Sequence, residues 1–220
     1  GHLPVTVSVG AVSFPSSVRT AHDAMAKADI ALEKARRSGH NCFSLYNLSE
    51  SQLQDLRDSL AVAELVQSSL RQNRLNLHFQ PIVSAKTNKP AFYECLLRMH
   101  DENGTAIPAG DFLPVAERMG LVRSIDRFVL DLVLNELFES DRANLAMNIS
   151  TLSTTDPTWL RALTSRVASR PDVAGRLLVE ITETTALQDV SETIRFVAAL
   201  QEMGCKVALD DFGAGYTSFR

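Results

Sequence analysis

The residues best suited to chemistry in this chain are Glu94, Asn148, Glu180 and Asp210, with Asp211 beside the last. Each sits near the C-terminal end of a short apolar run: AFYECLLRM (91–99), LAMNIS (145–150), LLVEITE (177–183) and KVALDDFG (206–213). Oxygen-only donors of this kind suit hard divalent cations such as Mg²⁺, Mn²⁺ or Ca²⁺, and not zinc or copper. Carboxylates gathered at one place would repel one another unless a cation neutralised them. Asp210-Asp211 adds to the case, because successive strand residues point different ways. One Asp can face inward while its neighbour reaches over the rim, and such a pair can bridge or flank two metal ions, as in phosphodiester hydrolysis. Gly213 and Gly215 follow at once and give a loop able to close over a ligand. A single strand-end acid is more often a helix cap or an ion-pair partner, and Asp111 and Asp156 are read as such caps. A set of strand-end acids and an amide, capped by DDFGAG, is not explained that way.

These side chains need elements to position them. Strand alternation puts Glu94, Leu96 and Arg98 on one face, Asn148 with Ser150, Glu180 with Thr182, and Asp210 with Ala208 and Lys206. LNLHFQPIV (75–83) and 91–99 read as strands separated by a polar turn, and a long helical region follows from Asp111 to about Glu139. Helices near 157–169 and 189–203 then separate the later strands. Short apolar strands alternating with helices indicate βαβ units in a parallel sheet or barrel. In a (β/α) barrel the C-terminal strand ends converge on the active-site mouth. No glycine-rich phosphate loop opens any of the helices, which weakens a Rossmann or P-loop reading. Upstream, residues 5–14 read as a strand, 21–37 as a helix and 41–46 as a short strand, a set too small for a domain and expected to lack its beginning. In the helical stretch 50–74, Leu53, Leu56, Leu60, Ala63, Gln67 and Leu70 recur at three- and four-residue steps. That pattern fits a coiled-coil seam of a homodimer or a connector helix packing on the next domain. His78 reads as a packed core or rim histidine, and Trp159 as core.

Composition narrows the class. In 220 residues, 45% are hydrophobic and 22% charged, which excludes a disordered, collagenous or coiled-coil chain. A net charge of −4 argues against a partner that is a nucleic-acid polymer. Cys42, Cys95 and Cys205 are far apart and lack CxxC spacing, as expected of a reducing compartment. No apolar run reaches the ~18 residues of a membrane span and no signal peptide opens the chain. The expected location is the cytoplasm, as a soluble protein or as the cytosolic part of a larger, membrane-attached one.

Phe79-Gln80-Pro81-Ile82, Glu94-Cys95-Leu96-Leu97-Arg98, Asn148-Ile149-Ser150, Glu180-Ile181-Thr182-Glu183 and the run from Asp210 through Ser218 resemble, in order and spacing, the EAL domain of bacterial cyclic-di-GMP phosphodiesterases. VTVSVGAVSFP and AMAKADIALEKARRSGHNCFSLY resemble the C-terminal end of a GGDEF (diguanylate cyclase) domain. The resemblance implies an α/β fold: a (β/α)8 TIM-like barrel, incomplete in this chain, preceded by the C-terminal piece of an α/β GGDEF domain. The expected divisions are a GGDEF-like fragment over 1–47, a linker helix over 48–74 and the N-terminal part of the EAL domain over 75–220. The last falls well short of the ~250 residues typical of that barrel. The implied reaction is hydrolysis of cyclic di-GMP to pGpG by a water activated at a two-metal Mg²⁺ or Mn²⁺ site. Glu94, Asn148, Glu180 and Asp210 match the family's metal ligands, and Asp211 its second-metal ligand, so that Asp210 and Asp211 form the catalytic pair. Glu183 matches the residue that anchors the loop 212–218, and Gln80, Leu96 and Arg98 match positions that contact the dinucleotide. The family's catalytic Lys and general-base Glu fall on strands expected beyond Arg220. Cys95 stands in place of the family's Ala on the outward face, Met99 in place of an aromatic near the nucleotide, and Ala214 in place of a loop Thr. The alternative is a catalytically inactive EAL module that binds cyclic di-GMP or a protein partner as a sensor.

Overall fold

The computed structural model describes residues 6–14, 18, 20–39, 41–46, 50–211 and 213. The chain divides into two compact units, Gly1–Leu60 and Ala61–Arg220. In the first, β1 (Val9–Ala11) pairs in parallel with β2 (Phe43–Leu45), and α1 (Ala21–Arg37) connects them. Both strands are shorter than their alternating sequence suggests, and Val5 lies outside the described residues. The bounds of α1 follow its end signals. Thr20 Oγ1 accepts from Asp23 N at 3.2 Å, and Lys34, Arg36 and Arg37 complement the dipole in the last turn. Gly10 is where β1 meets this helix: a Cβ there would lie 2.2 Å from the Ala28 carbonyl oxygen and 2.3 Å from Leu32 N. Only a residue without a side chain permits that approach. A helix, α2 (Glu50–Arg71), follows, and up to its midpoint Leu53, Leu56 and Leu60 are exposed.

In the second unit, α2 buries Ala63 and Val66. An antiparallel hairpin of β3 (Leu75–Val83) and β4 (Pro90–His100) follows, with the short β5 (Ala106–Pro108) on the far edge of β4. The rest is strand–helix alternation: α3 (Ala109–Arg118), α4 (Val122–Glu139), β6 (Leu145–Asn148), α5 (Thr151–Thr154), α6 (Pro157–Val167), α7 (Pro171–Ala174), β7 (Leu177–Thr182), α8 (Glu183–Gln188), α9 (Val190–Glu202) and β8 (Lys206–Asp210). The sheet runs β3-β4-β6-β7-β8, and β4, β6, β7 and β8 are parallel. This is the α/β arrangement of a TIM-like barrel wall.

The two faces of that wall differ. On β4, Cys95, Leu97 and Met99 are buried while Glu94, Leu96 and Arg98 are half-buried; on β7, Leu177, Val179 and Ile181 are buried while Leu178, Glu180 and Thr182 are not. The outer face packs on α4 through Ile125, Val129, Leu130, Val133, Leu134 and Leu137, a stripe at helical spacing. Trp159 is core, as expected, with its ring 5.7 Å from that of Phe196.

The structure corrects several expectations. The helical region from Asp111 to Glu139 is two helices, broken where Gly120 takes φ 72°. Asp111 does not cap: α3 starts after Pro108, whose fixed φ already suits a helix start, and Asp111 falls in the first turn. Asp156 does cap, accepting from Thr158 N at 2.8 Å. His78 is exposed rather than packed, because it lies on the outermost strand of the sheet. Met99 is on the buried outer face, opposite Arg98, so it packs in the core and not beside a ligand. No helix among the described residues is long and apolar enough to cross a membrane.

Gly10→Ala is expected to loosen the first unit by ~1–3 kcal/mol, the usual scale of overpacking. Amide hydrogen exchange over 21–37 would then quicken while that of β6 and β7 holds; unchanged exchange in α1 would contradict the close approach.

Candidate active site

The parallel strands carry their polar residues to one end of the sheet. Glu94 pairs across the ladder with Ala146, two residues before Asn148; Asn148 pairs with Glu180; and Asp210 pairs with Thr182, two residues after Glu180. The ladder positions therefore climb from strand to strand, the stagger that tilted barrel strands impose. Two of these side chains meet, and Glu180 lies in the field of the acids. Asn148 Nδ2 donates to Glu94 Oε1 at 3.1 Å. Burial pushes the Glu180 carboxyl up to about 7, with the charges of Glu94 and then Asp210 adding to the effect. Gln80 pairs directly opposite Glu94 in the antiparallel hairpin, and opposite residues share a face.

A cavity of about 420 Å³ opens beside this cluster, with Leu96, Arg98, Asn148, Asp210 and Asp211 in its wall. Glu94, Glu180 and Gln80 are not part of that wall; Glu94 reaches it through its hydrogen bond to Asn148. Asp211 has φ 54°, a left-handed conformation that Asp tolerates better than most residues. Glu183 is buried, and its Oε2 accepts from Gly213 N at 2.7 Å. The rest of the expected loop, Phe212 and residues 214–218 with Ala214, lies outside the described residues. Cys95 is buried on the outer face, and its thiol is pushed up to about 12 by burial and by Glu136, Glu180 and Glu94.

The donors are carboxylates and an amide, and their shared repulsion is of the kind a hard cation relieves, so the chemistry of the set fits Mg²⁺ or Mn²⁺. Among the described residues, no three Asp, Glu, His or Cys side chains are drawn together as a ready-made metal cluster. The acids stand within one another's field without closing on a common centre.

Reading strand ends alone misses several residues. Asp126 of α4 is buried and lines the cavity; its Oδ2 accepts from Ser150 N at 3.1 Å and from the Ser150 hydroxyl. Its backbone oxygen accepts from Trp159 Nε1 at 3.3 Å. The signal was present: an acid one position from Ile125, within the apolar stripe of an amphipathic helix. Thr151 and Thr185 also line the cavity, their hydroxyl oxygens 2.6 Å apart. Arg123 Nε donates to the Leu152 carbonyl at 3.1 Å and steadies α5 from the rim.

Burial holds the Asp126 carboxyl above its usual range, against a smaller downward pull from the Ser150 and Ser153 hydrogen bonds. A raised acid favours folding below its ordinary titration and loses that contribution as pH rises through its folded value. Asp126→Asn, which keeps an acceptor and removes the charge, is therefore expected to gain on the wild type between about pH 3 and pH 7 in denaturant unfolding. An equal difference at both ends would contradict this.

Comparison with known proteins follows the same lines. The EAL domain matches residues 63–220. The bifunctional diguanylate cyclase/cyclic di-GMP phosphodiesterase MucR of Pseudomonas aeruginosa is 30% identical over 97% of this chain and 32% of its own length. The cyclic di-GMP phosphodiesterase PdeF of Escherichia coli is 35% identical over 75% of this chain and 22% of its own. The chain thus spans a third or less of these curated relatives. The FimX EAL domain of Xanthomonas citri, solved in complex with c-diGMP, superposes with a TM-score of 0.67 at 26% identity, covering 74% of this chain and 64% of that one. With residues 63–220, the greater part of its length, matched, the chain belongs to the EAL domain family.

Proposed function

We propose that the EAL domain to which residues 61–220 belong serves as a cyclic-di-GMP phosphodiesterase, converting cyclic di-GMP to pGpG, with residues 61–220 supplying its metal-holding mouth. The observation that carries this reading is that Glu94, Asn148, Glu180 and Asp210 share one end of the sheet, with Asn148 bonded to Glu94 and the Glu180 carboxyl pushed up to about 7 by burial and by the charges of Glu94 and Asp210. These residues and Asp211 would hold Mg²⁺ or Mn²⁺. Asn148 would offer its carbonyl oxygen, since its amide nitrogen is committed to Glu94. When bound, the cations supply a water of lowered pKa and neutralise charge that builds on the phosphate.

The chain's own residues do the rest. Arg98, half-buried in the cavity wall, brings a guanidinium suited to a phosphate oxygen. Leu96 would offer apolar contact to the dinucleotide, and Gln80, opposite Glu94 on β3, a hydrogen bond. Glu183 ties the segment after Asp211 down at Gly213, which fixes where Asp210 and Asp211 point. Water's oxygen bonds to phosphorus, one P–O ester bond breaks, and its oxygen leaves as the free hydroxyl of the linear dinucleotide. Upstream, we read residues 1–47 as a GGDEF-like C-terminal fragment, 48–74 as the linker helix and 75–220 as EAL sequence. The match to a bifunctional relative over nearly the whole chain supports that division.

The test is turnover. With Mn²⁺ the complete EAL domain is expected to convert cyclic di-GMP to pGpG, and Glu94→Ala in it to lose at least ~100-fold of that activity, the scale on which metal sites respond to their supporting groups. Tight binding of cyclic di-GMP without pGpG would favour the inactive sensor. Unchanged turnover in Glu94→Ala would remove Glu94 from the site.

A further inference from the structure

Asn148 is the last residue of β6, and Ser150 and Thr151 carry the chain into α5. The backbone link between β6 and β7 reaches Ile149, whose N–H donates to the Glu180 carbonyl at 3.1 Å. Side chains take over from there. Thr185 Oγ1 lies 2.6 Å from Thr151 Oγ1 and 2.8 Å from Thr182 Oγ1, and Thr182 Oγ1 also accepts from Thr185 N at 3.3 Å. Thr185 is 4% exposed, and all three threonines line the cavity. A chain of hydroxyls thus crosses from the end of the strand bearing Asn148 to the end of the strand bearing Glu180. On its other side, Ser150 is held by Asp126.

We propose that Thr185 is a positioning residue: its hydroxyl, bridging Thr151 and Thr182, fixes the gap between the β6 and β7 ends and so sets the divalent-cation affinity of the mouth. The inference rests on the metal reading above. Asn148 has one free oxygen to offer once its amide nitrogen serves Glu94, so a small swing of the β6 end removes a donor. Sites of this kind need their ligands held within roughly 0.5 Å. A hydroxyl can donate once and accept twice, so Thr185 can serve both neighbours together. Valine has nearly the same shape and can serve neither. Both hydroxyls would then turn to water or to other partners, and the junctions would be free to part.

The experiment is Mn²⁺ binding to the full chain, followed by electron paramagnetic resonance, with Tm measured alongside. Thr185→Val is expected to weaken Mn²⁺ binding by about 10-fold or more, as loss of a supporting hydrogen bond commonly does, and Thr185→Ser to restore most of it. Wild-type Mn²⁺ affinity in Thr185→Val, whatever its Tm, overturns the positioning role and leaves the metal reading standing. A purely structural threonine would give that result, with a lowered Tm alone. If Thr185→Val fails to fold, Thr151→Val cuts the same bridge from its other end, and wild-type affinity there overturns the proposal equally. A wild-type chain that binds no Mn²⁺ overturns the metal reading, and this inference with it.

Discussion

Like charge crowded at one end of a sheet is the constraint around which this unit is built. Glu94, Glu180 and Asp210 arrive on separate strands, and burial, with the charges of Glu94 and Asp210 adding to it, pushes the Glu180 carboxyl up to about 7. Glu94 and Glu180 cannot relax by turning away, because the alternate residues of their strands are locked on the other face: Cys95 and Leu97 on β4, and Val179 and Ile181 on β7, are all buried. A strand with one face in the core has no freedom to turn the other away. Hydrophobic burial thus holds the charges together, and the Asn148 amide on Glu94 is one local relief. A divalent cation is the counter-charge of the right chemistry for what remains.

The two faces of the sheet therefore divide the work. The outer face supplies stability through the α4 stripe and Trp159, and the inner face carries the polar residues of the candidate site. Between them, at the strand ends, lies a set of ties that is polar and buried: Asp126 to Ser150, Thr185 to Thr151 and Thr182, and Glu183 to Gly213. Buried polar groups are costly unless paired, and here each is paired across two elements. Such pairs fix direction, which burial of apolar surface alone does not. That is the property a ligand-holding rim needs.

Much of this was legible in the sequence because period and chemistry coincided. Strand alternation placed Glu94 with Leu96 and Arg98 and set Cys95 outward, and the buried positions of β4 have that same alternation. The ends of α1 were legible from Thr20 and the basic last turn. What escaped was anything whose meaning lies in a distant partner. Thr185 sits in the run ETTAL, where nothing local separates one threonine from the next until Thr151, 34 residues away, comes into contact. Asp126 lies on a helix, away from the strand ends where the other acids stand, although an acid in an apolar helical stripe is itself a signal. The family's aromatic position suggests a place for Met99 near the nucleotide, whereas alternation puts it on the face opposite Arg98. The break at Gly120 is masked in the sequence because apolar spacing continues on both sides of it.

The central claim is that one mouth gathers its acids and amide to hold a divalent cation. The most direct test is a crystal of the protein soaked in Mn²⁺ and measured at the manganese absorption edge. The account predicts an anomalous peak bounded by the side-chain oxygens of Glu94, Asn148, Glu180 and Asp210. A well-ordered mouth with no peak, or a peak held by other residues, would contradict it.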